Sequence, residues 1–216
     1  MLKLPKLFNP DLATPGIKPT GLVKVDRGNQ YGRHISYAFL PQSSIRDAAR
    51  NLALNTHGGA KLKNRNAAFF GHSGDFVEYP EAADIRDEIT IIAKIRRNDY
   101  NSHGGIFSDK DNSNWGAGEG ISFNVRPDSS NLFFIVGNAE CWPEYGYRTI
   151  DSTSEFFTVA ATWKKGQFQR VYVNGYEPTT YQTSSVASSY QKSSKPLRVG
   201  AYYDASNLRT FDGEIA

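Results

Sequence analysis

The stretch from Phe156 to Pro178, FFTVAATWKKGQFQRVYVNGYEP, predicts two strands joined by a tight turn. Its apolar residues recur at every second position, the spacing that places side chains on one face of a strand. That face consists of Phe157, Val159, Ala161 and Trp163. We therefore expect this face to lie in a hydrophobic core, with Trp163 largely buried.

Residues 164–166, Lys-Lys-Gly, end the first strand, and Gln167–Val173 forms the second. The Val-Tyr-Val sequence at its end favours a pleated, half-buried surface because its residues are β-branched or aromatic. Asn174 and Gly175 follow, and both residue types tolerate the positive φ of a two-residue hairpin turn. A third strand or a sharp reversal is expected after them.

This hairpin resembles the central hairpin of the concanavalin A-like, laminin G-like jelly rolls, with its Ala-Thr-Trp strand end and its Val-Tyr-Val-Asn-Gly strand. Further segments are similar to family patterns in the expected order. Ala68–Glu78 resembles an apolar strand, a small-residue turn and a D-Y/F-V-E strand. Leu197–Gly200 and Phe211–Ile215 resemble the penultimate strand and the F-D-G-x-I signature. Together these segments account for most of the chain.

The resemblance implies an all-β fold, an antiparallel β-sandwich of the concanavalin A-like jelly-roll type. A chain of 216 residues fits one such domain. We expect the domain at residues 21–216, preceded by an extended, Pro-rich N-terminal arm at residues 1–20. Prolines 5, 10, 15 and 19 remove backbone donors from that arm and restrict the residues before them.

Other strands are predicted from apolar alternation and from the order of segments in the family. They are His34–Leu40 as the first strand, Phe76–Tyr79, Glu88–Arg97, Gly105–Lys110, Gly120–Arg126 and Asn131–Gly137. Residues 43–53 are expected to form one or two helical turns.

The resemblance also makes a prediction about the last residues. In the family, the F-D-G-x-I segment continues into a strand that pairs with the first strand. We expect Phe211–Ala216 to begin a strand beside His34–Phe39, and part of that first strand to be left as an unpaired edge. Either a longer native chain or a neighbouring subunit would then complete the edge.

Charge and composition exclude several classes of protein. The net charge is +3, and the basic residues are scattered, whereas a nucleic-acid-binding protein concentrates them on one face. Cys141 is the single cysteine, so no intramolecular disulfide forms. No stretch is long and apolar enough for membrane insertion, and no signal peptide is recognised. We expect synthesis in the cytoplasm without export by the usual secretory route.

The segment Gly21–Asp26, GLVKVD, resembles the G-x-V-x-V-D/N opening of laminin G-like proteins in tailed-phage particles. This resemblance implies a location in the virion, other virion proteins as partners and a multi-copy assembly. The arm carries more apolar residues than a solvated terminus needs, among them Leu4, Leu7 and Phe8. We expect these three side chains to anchor the protein on its neighbours or to lie extended against the roll.

Enzymatic activity is not expected. Glycosidases of this fold carry a Glu-x-Asp-x-x-Glu run, because acid and nucleophile must flank one glycosidic bond, and no such run occurs here. Glu78 lies at the end of a strand and Glu81 at the start of a loop. The alternation of side chains along a strand therefore does not place their carboxylates together as a catalytic pair. The histidines lack ligand spacing, and no G-x-S-x-G motif is present.

No cofactor is expected, although two places in the sequence carry oxygen donors of the kind that bind calcium. Asp109–Asn114 is oxygen-rich, but it lacks the glycine and glutamate spacing of a helix-loop-helix calcium site, so we interpret it as a solvated hairpin tip. Some members of the resembled fold hold a structural calcium near the F-D-G aspartate. That residue is Asp212 here, and an Asp-Gly pair is also common in turns.

Aromatic residues in or beside predicted loops are the candidates for binding a glycan or a protein partner. They are flanked by polar residues, as in a platform on which a sugar ring stacks. The candidates are Tyr100, Asn101, Trp115, Trp142, Tyr145 and Tyr147. The alternative interpretation is that these rings pack the ends of the roll or serve a protein interface.

Two functional hypotheses remain open from the sequence. In the first, the chain is a non-enzymatic structural protein of a phage particle, displayed on the capsid or tail for decoration or adhesion. In the second, it is a free carbohydrate-binding, lectin-like module whose loop aromatics bind a glycan such as one on the host surface. The arm distinguishes them, because only the first function requires residues 1–20.

Overall fold

The structure is a computed structural model. It describes residues 25–28, 30, 32–39, 41, 45–63, 66–71, 74–99, 103–110, 119–127, 132–137, 139–143, 153–177, 181–184, 186–204 and 207–216. The predicted arm, with Leu4, Leu7 and Phe8, lies outside these residues. No helix among them is long and apolar enough to cross a membrane.

Apart from one short 3-10 helix, Gly32–His34, the regular structure described is β-strand. The strands in chain order are β1 (Arg46–Asp47), β2 (Leu52–Ala53), β3 (Asn55–His57), β4 (Lys61–Lys63), β5 (Asn66–Phe70), β6 (Phe76–Glu78), β7 (Glu88–Arg97), β8 (Gly104–Ser108), β9 (Ile121–Val125), β10 (Leu132–Val136), β11 (Ala139–Pro143), β12 (Phe157–Lys164), β13 (Arg170–Val173), β14 (Tyr181–Ser184), β15 (Arg198–Val199), β16 (Ala201–Asp204), β17 (Asn207–Thr210) and β18 (Asp212–Ile215).

The strands form two large antiparallel sheets that pack face to face. One sheet has eight strands in the order β14-β11-β10-β9-β8-β15-β6-β3, and the other has six in the order β13-β12-β7-β18-β5-β4. Two short hairpins, β1-β2 and β16-β17, are separate. The core between the sheets includes Phe69, Ile95, Phe134 and Phe211. The predicted all-β sandwich is thereby confirmed.

The hairpin of β12 and β13 forms as the sequence predicts. Its inward side chains alternate with outward ones, and Trp163 is 1% exposed. At the end of β13, Asn174 and Gly175 have φ of 50° and 81°. Val173 and Tyr176 exchange two backbone hydrogen bonds of 3.0 Å across them. The sharp reversal is therefore a two-residue hairpin turn with positive φ at both central positions.

The predicted first strand is wrong. Ile35–Ala38 is not part of any strand, and Phe39 makes only an isolated bridge to Asp47. The Ala38 N–H donates instead to Asp47 Oδ1 at 2.9 Å. Tyr37 packs edge-on against Tyr79, with ring centroids 5.5 Å apart. A buried carboxylate and an aromatic contact thus hold this apolar segment without a strand ladder.

The predicted helical turns at residues 43–53 are also wrong where they can be compared. β1 and β2 pair as a short antiparallel hairpin, with Arg46 opposite Ala53. Asn51 has a φ of 56°, a left-handed conformation that ends a helix and suits a turn. Asp47 Oδ1 accepts a bond from the Ala49 N–H at 2.8 Å, which stabilises the turn locally.

The last strand does not lie beside His34–Phe39. β18 instead lies inside the six-stranded sheet, where Gly213 is opposite Phe69 of β5 and Arg97 of β7. Its Ile215 is 3% exposed and belongs to the core. The prediction failed because it took the partner from the order of strands in the resembled family, whereas residues 34–38 form no strand here and β18 pairs with β5 and β7.

Candidate functional site

The connections between strands begin and end at two opposite ends of the sandwich. The pairing of the strands shows to which end each connection belongs. Ser108 at the end of β8 pairs with Ser122 at the start of β9, so residues 109–120 connect these strands at one end. β7 finishes at the other end, where residues 98–103 connect it to β8. We call these the β8–β9 end and the β7–β8 end.

The predicted aromatic candidates belong to connections at different ends. Trp115 lies in the connection at the β8–β9 end. Tyr100 and Asn101 lie in the connection at the β7–β8 end. Tyr145 and Tyr147 also belong to that end, because residues 144–156 lead from the end of β11 to the start of β12. These five residues lie outside the described part of the chain.

Trp142 is the one candidate whose backbone is described. It lies on β11, opposite Thr183 of β14, and a β-bulge follows between Trp142 and Pro143. Its side chain lies outside the description. A common glycan platform formed by the candidates stays a prediction, because five of the six residues lie outside the described part of the chain.

A buried polar cluster fixes the base of the connection that carries Trp115. Asp109 is 2% exposed, and its carboxylate accepts hydrogen bonds from the Ile121 N–H at 2.8 Å and the Ala83 N–H at 2.9 Å. The Tyr190 hydroxyl donates to the Ala83 carbonyl oxygen at 2.8 Å and lies 3.3 Å from Asp109 Oδ2. We call Asp109, Lys110, Tyr190 and Ser193 the Asp109 junction.

Burial changes the acidity of the central carboxyl group. Removal from water raises the pKa of Asp109 from its ordinary value of 3.8 to about 6, although the hydrogen bonds from Ile121 and Ala83 favour the charged form. The same burial raises the pKa of Tyr190, and the nearby Asp109 charge adds to this effect. The Tyr190 hydroxyl therefore stays protonated and remains a donor.

Lys110 and Ser193 extend the junction to neighbouring segments. Lys110 is 2% exposed, and its Nζ donates to the Gly137 carbonyl oxygen at 2.6 Å and to the Glu119 carbonyl oxygen at 3.3 Å. The Ser193 hydroxyl donates to the Asp109 carbonyl oxygen at 2.5 Å. The junction thus ties both ends of residues 111–118 to the β10–β11 turn and to the segment before β15.

This junction corrects the interpretation of residues 109–114 as a solvated hairpin tip. Asp109 and Lys110 are buried, and only residues after them can belong to an exposed tip. The sequence gives a weak signal, an Asp-Lys pair directly after an apolar strand. The partners that bury the pair, Ala83 and Tyr190, are distant in sequence, so no local pattern predicts them.

A second polar cluster lies on the six-stranded sheet. Glu214 is 2% exposed and accepts hydrogen bonds from Arg96 Nη2 at 2.6 Å and Asn66 Nδ2 at 2.7 Å, with Lys63 Nζ at 3.7 Å. Burial alone would raise the pKa of Glu214, but these hydrogen bonds and positive charges hold it below its ordinary value. The Arg96 guanidinium also lies 4.9 Å from the centre of the Phe156 ring.

Glu78 and Glu81, which the sequence does not predict to form a catalytic pair, each bind a different arginine. Glu78 Oε2 lies 2.9 Å from Arg198 Nε, and Glu81 Oε1 lies 2.6 Å from Arg50 Nη2. Both are therefore engaged in ion pairs.

Among the described residues, the donors around Asp212 do not suit a calcium ion. Asp212 Oδ1 accepts a hydrogen bond from Asn98 Nδ2 at 2.9 Å, so the neighbouring amide presents its NH₂ group rather than an oxygen. Within the described ranges, no group of three or more His, Cys, Asp or Glu side chains could hold a metal ion. Calcium prefers six to eight oxygen ligands.

The two sheets and their loop-bearing ends define a lectin-like jelly roll. Residues 71–216 match a laminin G model described as the concanavalin A-like lectin/glucanases superfamily. The match covers more than half of the chain, and the chain belongs to this family. A search of curated protein sequences finds no match.

Solved structures share the fold at low sequence identity. Domains LG4-5 of the mouse laminin alpha1 chain superpose with a TM-score of 0.52 and 15% identity over 76% of this chain and 41% of theirs. A structure of botulinum neurotoxin type C, described by its interaction with two ganglioside molecules, gives a TM-score of 0.54 and 15% identity over 83% of this chain and 46% of its own. The chain spans less than half of these solved chains.

Proposed function

We propose that this chain is a non-enzymatic structural protein of a tailed-phage particle, displayed on the capsid or tail and anchored through its N-terminal arm. The observation that carries the proposal is the phage-like GLVKVD phrase at Gly21–Asp26, which stands between a Pro-rich, apolar arm and a jelly roll. Such an arm suits attachment to neighbouring proteins, while the roll is exposed on the particle. The partners are other virion proteins in a multi-copy assembly.

The use of the buried acidic residues supports a non-enzymatic role. Four acidic residues are buried in the described part of the chain, Asp47, Asp75, Asp109 and Glu214. Asp75 Oδ1 accepts a bond from the Gly59 N–H at 2.6 Å, and Asp47 and Asp109 likewise hold backbone amides. Glu214 binds Arg96 and Asn66. These carboxylates stabilise loops and strands.

Deletion of residues 1–20 tests the anchoring. We expect the shortened protein to unfold at the same temperature as the full chain but to lose its association with particles, because the apolar arm makes the contact. Particle sedimentation with added protein measures this association. A triple change of Leu4, Leu7 and Phe8 to Ser should reproduce the loss, whereas Asp11→Ser serves as a matched control. Particles that still bind the deletion variant would show that the arm is not the anchor.

Binding of a glycan through Trp115 is the second candidate function. It is favoured by the Asp109 junction, which fixes both ends of the connection that carries this residue. Fixed flanking residues reduce the length of chain that has to be ordered on binding, which lowers the entropic cost. The glycan would belong to a host surface if the protein is part of a particle.

We expect Trp115→Ala to weaken binding to a glycan selected on an array by at least about tenfold, which corresponds to about 1.4 kcal/mol. Tyr145→Ala is the matched control, because its connection belongs to the opposite end of the sandwich. Titration calorimetry on both variants measures the change, and thermal unfolding verifies their folds. If both variants bind as the unchanged protein does, or no glycan on the array binds at all, Trp115 is not a glycan-binding residue.

A further inference from the structure

Two pairs of basic residues that are distant in sequence lie on the six-stranded sheet. Lys61 and Lys63 belong to its edge strand β4, and Lys94 and Arg96 belong to β7. The three lysines are exposed and the arginine is partly exposed. We call these four residues the basic face. Because β18 and β5 lie between β7 and β4, the two pairs are about 14 Å apart, and the members of each pair are about 7 Å apart.

The strand register shows that the two pairs point to the same side. A row of opposed residues runs across the sheet from Arg96 to Glu214, Ala68 and Lys61, and side chains of opposed residues share a face. Ile95, the neighbour of Arg96 on β7, points into the core. The basic face therefore lies on the outer side of the sheet, away from the other sheet.

Described contacts hold the cations of this face in place. Glu214 Oε1 lies 2.6 Å from Arg96 Nη2 and 3.7 Å from Lys63 Nζ, so one buried carboxylate draws a cation from each pair towards the centre. Lys94 Nζ lies 5.4 Å from the centre of the Phe156 ring, the same ring that Arg96 contacts. A single carboxylate compensates at most one of the four positive charges. The face thus keeps an excess of positive charge on side chains that are already ordered.

Protection of the sheet edge does not explain this arrangement. Lysines on an edge strand such as β4 discourage pairing with other sheets, and Lys61 and Lys63 suit that role. Lys94 and Arg96 lie on β7, which has strands on both sides, β12 and β18. Charges at that position do not guard an edge.

We propose that the basic face binds an extended acidic peptide segment of a partner protein, which lies across β4, β5, β18 and β7. In an extended chain every second side chain points to the same side, and residues four positions apart are separated by about 14 Å. Carboxylates at alternate positions of such a segment therefore reach both basic pairs. This inference does not rest on the proposed particle function.

The contacts of the basic face favour carboxylates over a sugar or a nucleic acid. Arg96 and Lys63 already bind the carboxylate of Glu214, which shows that their geometry suits this group. Sugars and bases bind largely by stacking on an aromatic ring. Phe156, the ring described beside this face, is already in contact with Lys94 and Arg96.

An NMR titration of the full chain tests the proposal. The probe is the peptide acetyl-Glu-Thr-Glu-Thr-Glu-Thr-Glu-amide at up to millimolar concentration and low salt. We expect the largest shifts of backbone amide signals in residues 61–63, 66–68, 94–96 and 213–215, and we expect the binding to fade at 0.5 M salt because exposed charges are then screened. A peptide of the same composition with its four Glu residues in succession should bind more weakly, because only two of them share a side.

A charge-matched pair of variants locates the binding. The double variant Lys61→Gln/Lys94→Gln removes one exposed cation from each basic pair and should raise the dissociation constant of the alternating peptide at least about fivefold. Lys164→Gln/Lys192→Gln is the control, because it lowers the net charge equally at exposed positions outside the basic face. It should leave the dissociation constant within about twofold. Thermal unfolding verifies that both variants fold.

Three results would overturn the proposal. The first is an absence of shifts at the basic face with the alternating peptide at low salt. The second is equal weakening in the two double variants, or equal binding of the two peptides, since either would assign the effect to net charge alone. The third is tighter binding of dextran sulfate or of a thymidine oligonucleotide to the same residues at equal charge concentration, which would make the face a site for another polyanion.

Discussion

Replacing Gly213 with alanine is expected to prevent folding of the domain. Gly213 has a φ of 151°, and a Cβ there would clash with the Arg96 carbonyl oxygen and lie 2.8 Å from Phe211 Cε1. The residue lies inside the six-stranded sheet, so neither neighbour can move without breaking the pairing. We expect a loss of more than about 4 kcal/mol in the free energy of unfolding. Circular dichroism and urea denaturation measure it.

Gly175→Ala is the matched control for this change. Gly175 also has a positive φ, 81°, but nothing lies within 4 Å of its added Cβ. Only the cost of a left-handed residue remains, about 1–2 kcal/mol. If both variants lost the same free energy of unfolding, the close approach of the strands at Gly213 would not be the cause. The positive φ alone would then explain the effect.

Asp109→Ala is expected to be the second most damaging change. It leaves the buried amides of Ala83 and Ile121 without an acceptor, and each unsatisfied group costs about 1–3 kcal/mol. We expect a loss of roughly 2–4 kcal/mol in the free energy of unfolding at neutral pH. Asp87→Ala is the control, because Asp87 forms an exposed ion pair with Lys165 and should cost less than about 0.5 kcal/mol.

The pH dependence of this loss provides a second check. The pKa of Asp109 is about 6 in the folded protein against an ordinary value of 3.8, so the folded state binds the proton more tightly. The tighter proton binding stabilises the folded state. This stabilisation is fully present below pH 3.8 and is lost as pH rises to about 6. It amounts to roughly 3 kcal/mol at about 1.4 kcal/mol per pH unit. Asp109→Ala should therefore lower the free energy of unfolding by more near pH 4 than at pH 7. An equal loss at both pH values would contradict a raised pKa of Asp109 in the folded protein.

Short-range patterns predicted a large part of the fold. β7 and the β12-β13 hairpin were found because alternation and turn residues act within a few positions. The same method failed at His34–Phe39, where an apolar sequence is held by the Asp47 carboxylate and by a ring contact of Tyr37. Side-chain hydrogen bonds of this kind replace a ladder and leave no period in the sequence.

The candidate site was less predictable than the fold. The aromatic residues were chosen by their polar neighbours, and that choice says nothing about which end of the sandwich each connection belongs to. The Asp109 junction joins residues that are up to 84 positions apart in sequence, such as Ser193 and Asp109. A lone Asp-Lys pair resembles a solvated turn until its distant partners are placed.

The central position of β18 has a consequence for how the protein is made. Residues 212–215 bridge β5 and β7, which are synthesised much earlier, so those two strands cannot be joined until residue 215 has left the ribosome. Contacts between such distant residues are slow to form. We therefore expect the sheet to close after synthesis of this segment rather than during it, with two unpaired strand edges open to chaperones in the interval.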